Sequence, residues 1–250
     1  MTNNTCLWCV LPAAGIGERM GADLPKQYLP LLDQTLLEVT LGRIHQAFPE
    51  AYLVLPLHQE DLWWPAVELR FLKRYPQAKL ITCFGGKERA DSVLNGLNAL
   101  TALAHPHDWV LVHDVARPCI TQLDLQQLVT GVKNHLVGGL LAAPVADTMK
   151  RGMSVNNSHQ VSATLDRNHL WHALTPQMFR YEKLHTALTQ GLEKGLKLTD
   201  ESSALEAAGY QPLLIPGRRD NIKITHPEDL ALAELLLTHQ QTTTQTTREK

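Results

Sequence analysis

Short unbroken apolar runs alternate along this chain with longer stretches in which apolar residues recur every three or four positions. The first run, 7–12, reads Leu-Trp-Cys-Val-Leu-Pro, and four more occupy 52–57, 79–83, 109–113 and 140–144. Helical spacing fills the intervals: Leu37, Leu41, Ile44 and Phe48 predict a helix over 36–48, and Trp63, Val67 and Phe71 predict one over 61–75. Val93, Leu97 and Leu100 predict a third over 90–103, and a fourth covers 123–136. Pro65 fits only the first turn of its helix, because deeper in it would remove a backbone donor and clash with the preceding turn. Strands that are apolar throughout are covered on both faces. Their alternation with helices predicts an α/β fold on a mostly parallel, doubly wound sheet. Ligands of such sheets bind beyond the carboxyl ends of the strands.

The pattern breaks between 146 and 167. The polar stretch 149–160 contains the turn residues Asn156, Asn157 and Ser158, and its flanks, 147–151 and 160–165, have the makings of a hairpin. Two strands alone are marginal, so an arm projecting over about 147–167 implies a partner to pack on, and a homodimer is expected. Helices resume over 181–194 and 201–208, short strands follow at 212–215 and 221–225, and a last helix spans 227–239. Thr225-x-x-Glu228 is read as its capping box. The Thr/Gln-rich remainder is expected to be disordered, leaving one domain over 1–238 and a tail over 239–250.

Composition narrows the function. The chain has 250 residues, with 23 Lys+Arg against 25 Asp+Glu and a net charge of −2. That balance argues against nucleic acid as a partner, since a general coat draws its affinity from excess cations. No apolar run approaches the roughly 20 residues a helix needs to span a bilayer, which argues against an integral membrane protein. The polar 1–7 segment lacks the basic-then-apolar order of a signal peptide, so a cytoplasmic or stromal protein is expected. Cys6-x-x-Cys9 lies in a strand, where positions three apart face opposite ways, and no second pair completes a zinc site. The twelve histidines form no His-Glu-x-x-His; His169 and His172 would share a helical face, without a third ligand.

Three loops carry candidate chemistry. After the first strand come Ala13-Ala14-Gly15-Ile16-Gly17, whose small residues let the backbone approach phosphate oxygens closely. Met20 stands where a dinucleotide fingerprint needs its third glycine, and no Gly-Lys-Ser/Thr makes a P-loop. Arg19 and Lys26 place two cations just beyond, with Pro25 stiffening the approach. After the third strand, Gly85-Gly86-Lys87-Glu88-Arg89-Ala90-Asp91-Ser92 again puts glycines before a helix, suited to a phosphate or a base edge. The first loop is also compatible with a tight turn beside two solvated cations, and the second with a strand–helix turn and ordinary capping. The fourth strand ends at His113-Asp114; an acidic group there suits a hydrated Mg²⁺, while His113 reads as a packed, hydrogen-bonded histidine. Thr199 is compatible with a plain N-cap, and Lys223, between Ile222 and Ile224, with a strand lysine facing solvent.

In order, Pro12–Met20, Pro-Lys-Gln-Tyr at 25–28, the 85–92 loop, His-Asp-Val-Ala-Arg-Pro at 113–118, 142–148, Thr175-Pro176-Gln177, Thr199-Asp200 and Asp220-Asn221-Ile222-Lys223 resemble the methylerythritol phosphate cytidylyltransferases over about 10–236. The resemblance implies a Rossmann-like nucleotidyltransferase fold, and a reaction joining CTP to methylerythritol phosphate with release of pyrophosphate in isoprenoid precursor synthesis. It also implies a need for Mg²⁺ and a homodimer joined through the β-arm. By the same resemblance Ala13, Ala14 and Gly15 line the nucleotide site, with Arg19 and Lys26 at the triphosphate. Gly85, Gly86 and Ser92 meet the cytosine, and Asp114 lies near ribose and metal. Arg117, Thr148, Arg167, Thr175, Thr199, Asp220 and Lys223 surround the sugar phosphate, some from the partner subunit. Lys87 departs from the Asp common in the second loop, leaving a backbone contact to the base at that position. The acceptor residues are equally compatible with another polyol phosphate, such as ribitol phosphate. A non-catalytic nucleotide sensor would lack the cations Arg19, Lys26 and Lys223.

Overall fold

The computed structural model describes residues 6–15 and 24–248, with 243–248 by backbone alone. The chain runs β1 (Leu7–Val10), a 3-10 turn (Lys26–Tyr28), β2 (Pro30–Leu31), β3 (Gln34–Thr35), α1 (Leu36–Ala47), β4 (Tyr52–Leu57), α2 (Trp64–Arg74), β5 (Lys79–Phe84) and α3 (Arg89–Asn98). It continues through β6 (Trp109–Val112), α4 (Gln122–Val132), β7 (Gly138–Pro144), β8 (Met149–Val155), β9 (Ser158–Leu165), β10 (Trp171–Arg180), α5 (Tyr181–Glu193), α6 (Glu201–Ala207), β11 (Leu213–Pro216) and α7 (Pro227–Arg248).

Seven strands form one sheet in the order β11-β7-β10-β6-β1-β4-β5, with β10 antiparallel to both its neighbours and the other pairings parallel. From β1 the chain moves outward to β4 and β5, then returns to β6 on the other side of β1. The order therefore reverses at β1, and the crevice beyond the carboxyl ends of β1, β4, β5 and β6 is where such sheets take ligands. Both faces are covered. Cys9, Leu11, Leu53, Leu55 and Leu111 pack against α1, α2 and α4; Trp8, Val10, Val54, Val110 and Val112 pack against α3, α5 and α6. That two-sided burial is why the strands are apolar throughout. A smaller cluster of Leu31, Leu36, Val39, Cys119, Ile224, Ala233 and Leu237 docks α7.

The arm projects as expected. β8 and β9 pair only with each other, and Asn156 and Asn157 take φ of 48° and 63° in the turn between Val155 and Ser158. Asparagine tolerates this left-handed backbone, and the turn matches the right-handed twist of the strands. A shift in register sets Ser162 opposite no residue, and its hydroxyl donates to the Arg151 carbonyl at 2.9 Å.

Five points of the sequence-based reading are corrected. β10 carries no strand signature because Pro176 interrupts it, and the register shifts between Ala173 and Gln177 where that proline sits. His172 lies on this strand and His169 in a turn at φ 64°, so the two share no helical face. Residues 221–225 form no strand; they run as an extended hook whose Ile224 N–H donates to the Ala116 carbonyl. At the start of α7 the acceptor is Asp229, taking the N–H groups of Thr225 and His226, rather than Glu228. The helix also continues past 239 to Arg248, through the stretch expected to be disordered. Gln240 anchors it by donating to the Cys119 carbonyl and accepting from Arg43.

Candidate active site

Three strand ends converge. Ala13, just past β1, donates its N–H to the Pro56 carbonyl at 2.9 Å, and its own carbonyl accepts from the buried Gln27 side chain at 2.7 Å. The turn after β5 presses against it. A Cβ on Gly85 would fall 2.3 Å from the Ala14 Cβ and 3.0 Å from Ser92 Oγ, and one on Gly86 2.2 Å from Asp91 Cβ. Both glycines are therefore required by close approach: Gly85 lets the two loops meet, and Gly86 lets its own turn close on the start of α3. Ser92 closes the turn: its hydroxyl accepts from the Gly86 N–H at 3.0 Å and donates to the Glu88 carbonyl at 3.1 Å. Glu88 in turn forms a reciprocal cap with Asp91 at the start of α3.

The loops enclose a cavity of about 280 Å³, walled by Ala13, Ala14, Gly15, Gly86 and Ser92. Four basic side chains, Lys26, Lys87, Arg89 and Lys223, and the carboxylates of Glu88 and Asp114 line it. Lys26, carried on the 3-10 turn, donates to the Ile224 carbonyl at 2.9 Å. Lys223 Nζ stands 2.6 Å from Asp114 Oδ2, and Arg89 Nε 2.7 Å from Asp114 Oδ1. Burial alone would raise the Asp114 carboxyl, but Arg89 and Lys223 outweigh it and hold the group well below the usual carboxylate range. It is ionised at every working pH.

A directed chain of hydrogen bonds lies beneath. His113 is fully buried, and burial pushes it down to about 4, so its ring is neutral. Its Nε2 faces the Arg117 carbonyl at 3.0 Å, which can only accept; Nε2 therefore carries the proton. Nδ1 then accepts from the Thr175 hydroxyl at 3.0 Å, and that oxygen accepts the Asp114 N–H at 3.1 Å.

The structure thus brings Ala13, Ala14, Gly15, Gly85, Gly86, Ser92, Lys26, Asp114 and Lys223 to one place. Arg19 lies outside the described residues. The other expected residues do not line the cavity. Thr175 is buried with its hydroxyl committed on both sides, because it props the strand end that carries Asp114. Arg117 donates to the Asn221 carbonyl at 2.7 Å and Asp220 pairs with Arg218, both holding the hook that presents Lys223. Thr199 is exposed, and the N-cap of α6 is Asp200. Thr148 and Arg167 are exposed at the base of the arm, where Arg167 donates to the Ala146 carbonyl. Arg89, Gln27, Gln177 and Glu201 were not singled out from the sequence. Their one signal was an ionic or amide side chain inside an otherwise recognisable motif.

A doubly wound sheet whose strand-end loops bare their backbone beside converging cations defines a Rossmann-like nucleotidyltransferase. The chain matches the family model for 2-C-methyl-D-erythritol 4-phosphate cytidylyltransferase (IspD) over residues 7–239, and it belongs to that family. The 2-C-methyl-D-erythritol 4-phosphate cytidylyltransferase of Hahella chejuensis is 50% identical over 231 residues, 92% of each chain. That of Chromohalobacter salexigens is 51% identical over 232 residues, 92% of this chain and 89% of its own. The crystal structure of the Francisella tularensis enzyme superposes with a TM-score of 0.75 at 33% identity, covering 93% of this chain and all of its own. The activity is transfer of the cytidylyl group from CTP to 2-C-methyl-D-erythritol 4-phosphate, giving 4-(cytidine 5'-diphospho)-2-C-methyl-D-erythritol and pyrophosphate in isoprenoid precursor synthesis. Among the described residues no helix is long and apolar enough to cross a membrane.

Proposed function

We propose that this chain accelerates cytidylyl transfer by positioning and charge neutralisation, with no general base. The nucleophile is the substrate's phosphate oxygen, already largely ionised near neutral pH. The barrier is the approach of one anion to the α-phosphorus of another and the passage of charge to pyrophosphate. Ala13, Ala14 and Gly15 cradle the nucleotide through their backbone, and Gly85, Gly86 and Ser92 shape the slot for cytosine. Lys26, with Arg19, holds the triphosphate and steadies the leaving group. Lys223 neutralises the crowded phosphorus from the acceptor side. The observation that carries this reading is the meeting of Lys26 and Lys223 in one glycine-walled cavity.

A divalent cation fits this donor set. Asp114 keeps acceptor capacity on each oxygen beyond its two ion pairs and lines the cavity beside the glycine loops. That suits Mg²⁺, which takes few carboxylates and relies on phosphate oxygens and water. Asp114 would hold it, and the ion when bound supplies further neutralisation of the triphosphate.

The acceptor pocket is shared between subunits of a homodimer. Thr148 and Arg167, exposed at the base of the arm and absent from the lining of their own cavity, reach the partner's acceptor; Arg117, Asp220 and Thr199 border the same pocket. Thr175 acts on it from beneath. The reaction takes place in the cytoplasm. Incubation with CTP and Mg²⁺ and either methylerythritol phosphate or ribitol phosphate tests the reading. Pyrophosphate release with the first and at most trace release with the second is expected. Release with neither, despite CTP binding, would leave a nucleotide sensor.

A further inference from the structure

Glu201 is the most deeply buried charged side chain around the cavity, 1% exposed, yet it touches no point that the proposed transfer uses. Its position is built with care. It opens α6, directly after the N-cap Asp200, whose carboxylate and Ser203 cap each other reciprocally. Gln177 on β10 clamps this end of the helix to the sheet: its amide donates to Asp200 Oδ2 at 2.8 Å, and its carbonyl accepts the Ser202 N–H at 2.9 Å. Thr175 and Gln177, two residues apart on one strand, therefore serve two ends of one arrangement. Thr175 holds the backbone of Asp114, and Gln177 holds the helix that presents Glu201.

Between those ends runs a line of charges. Arg89 Nη1 and Nη2 meet Glu201 Oε1 and Oε2 at 2.6 and 3.1 Å, a two-pronged pairing that fixes the plane of the guanidinium. Its remaining Nε–H then points at Asp114 Oδ1, which leaves Oδ2 to Lys223. Two cations and two carboxylates cancel. If the Glu201 charge is removed, Arg89 and Lys223 compete for the single carboxylate of Asp114. Arg89, with its planar fork, takes both oxygens and frees the lysine.

We propose that Glu201 is a positioning residue for cytidylyl transfer, acting through Arg89 and Asp114 to set the ammonium of Lys223. The proposal rests on the role of Lys223 given above. It separates from a purely structural part, because a structural loss would be felt whatever stands at 223.

The test is a double-mutant cycle on steady-state kinetics, using the full chain with CTP, Mg²⁺ and methylerythritol phosphate. Glu201→Gln, nearly isosteric, is expected to lower kcat on the order of 10²-fold, as small misplacements of reacting groups do. The KM for CTP stays within about threefold, since the backbone cradle of Ala13, Ala14 and Gly15, the Gly85–Gly86 turn and Lys26 keep their places. In the Lys223→Ala background the same change is expected to cost no more than about twofold, because residues acting as one unit are not additive. Arg89→Lys, which keeps the charge and loses the fork, is expected to reproduce the kcat loss, and it carries the test if Glu201→Gln proves insoluble. A Glu201→Gln enzyme with wild-type kcat would overturn the proposal and leave the Lys223 reading intact. So would an equal loss with and without Lys223. Wild-type turnover by Lys223→Ala alone would remove the reading beneath it.

Discussion

Gly85 shows how much of the site rests on a missing side chain. The 2.3 Å separation between its imagined Cβ and that of Ala14 joins two atoms that sit directly on backbone, so neither can swing aside. Gly85→Ala must part the nucleotide loops. The expected outcome is a folded protein destabilised by about 1–3 kcal/mol, as overpacked sites are, whose KM for CTP rises at least about tenfold while the acceptor KM changes far less. Steady-state kinetics with each substrate varied in turn measures both, and an unchanged CTP KM would mean that the loops are not held in contact during turnover. The same scale explains why the glycines and lysines were legible in the sequence whereas Arg89 and Glu201 were not. A glycine beside a strand end and a lysine between two isoleucines each break a local pattern. The pairing of Arg89 with Glu201 spans 112 positions and acquires meaning only when α3 and α6 meet.

At the scale of elements, the half of the fold before the arm follows local pattern closely, and the half after it does not. β4 starts and stops where its apolar run does, because a strand covered on both faces has no polar position to blur its ends. β10 escapes such reading. It is antiparallel, broken by Pro176, and joined to β7 through a shifted register, yet it lies between β6 and β7 in the middle of the sheet. The tail of α7 escapes for the opposite reason: Thr and Gln give little intrinsic signal, and docking of Gln240 on Arg43 and Cys119 supplies the order. One strand start depends on a single residue. Gly138 opens β7 at φ 128°, where a Cβ would lie 2.0 Å from the Met178 carbonyl oxygen. Gly138→Ala is expected to cost about 3 kcal/mol or more in denaturant unfolding, from backbone strain and the clash together. A loss under about 1 kcal/mol would show that β7 can shift away from β10.

The whole molecule presents a body with a two-sided core and an arm that contributes little to it. The exposed Met153 and Val161 on the arm make sense if a second subunit covers them. A dimer is expected by sedimentation at micromolar concentration. Replacing 150–164 with a short linker is expected to leave a folded monomer, with the KM for methylerythritol phosphate raised far more than that for CTP. A fully active monomer would contradict the shared acceptor pocket. The account as a whole stands on the claim that cations meeting in one cavity, rather than a base, lower the barrier. The most direct measurement is pyrophosphate release by Lys26→Ala and Lys223→Ala, each first shown to fold by its thermal unfolding profile. A fall in kcat on the order of 10²–10³-fold in both is predicted, comparable to the loss of one donor to developing charge; wild-type turnover in either would contradict it.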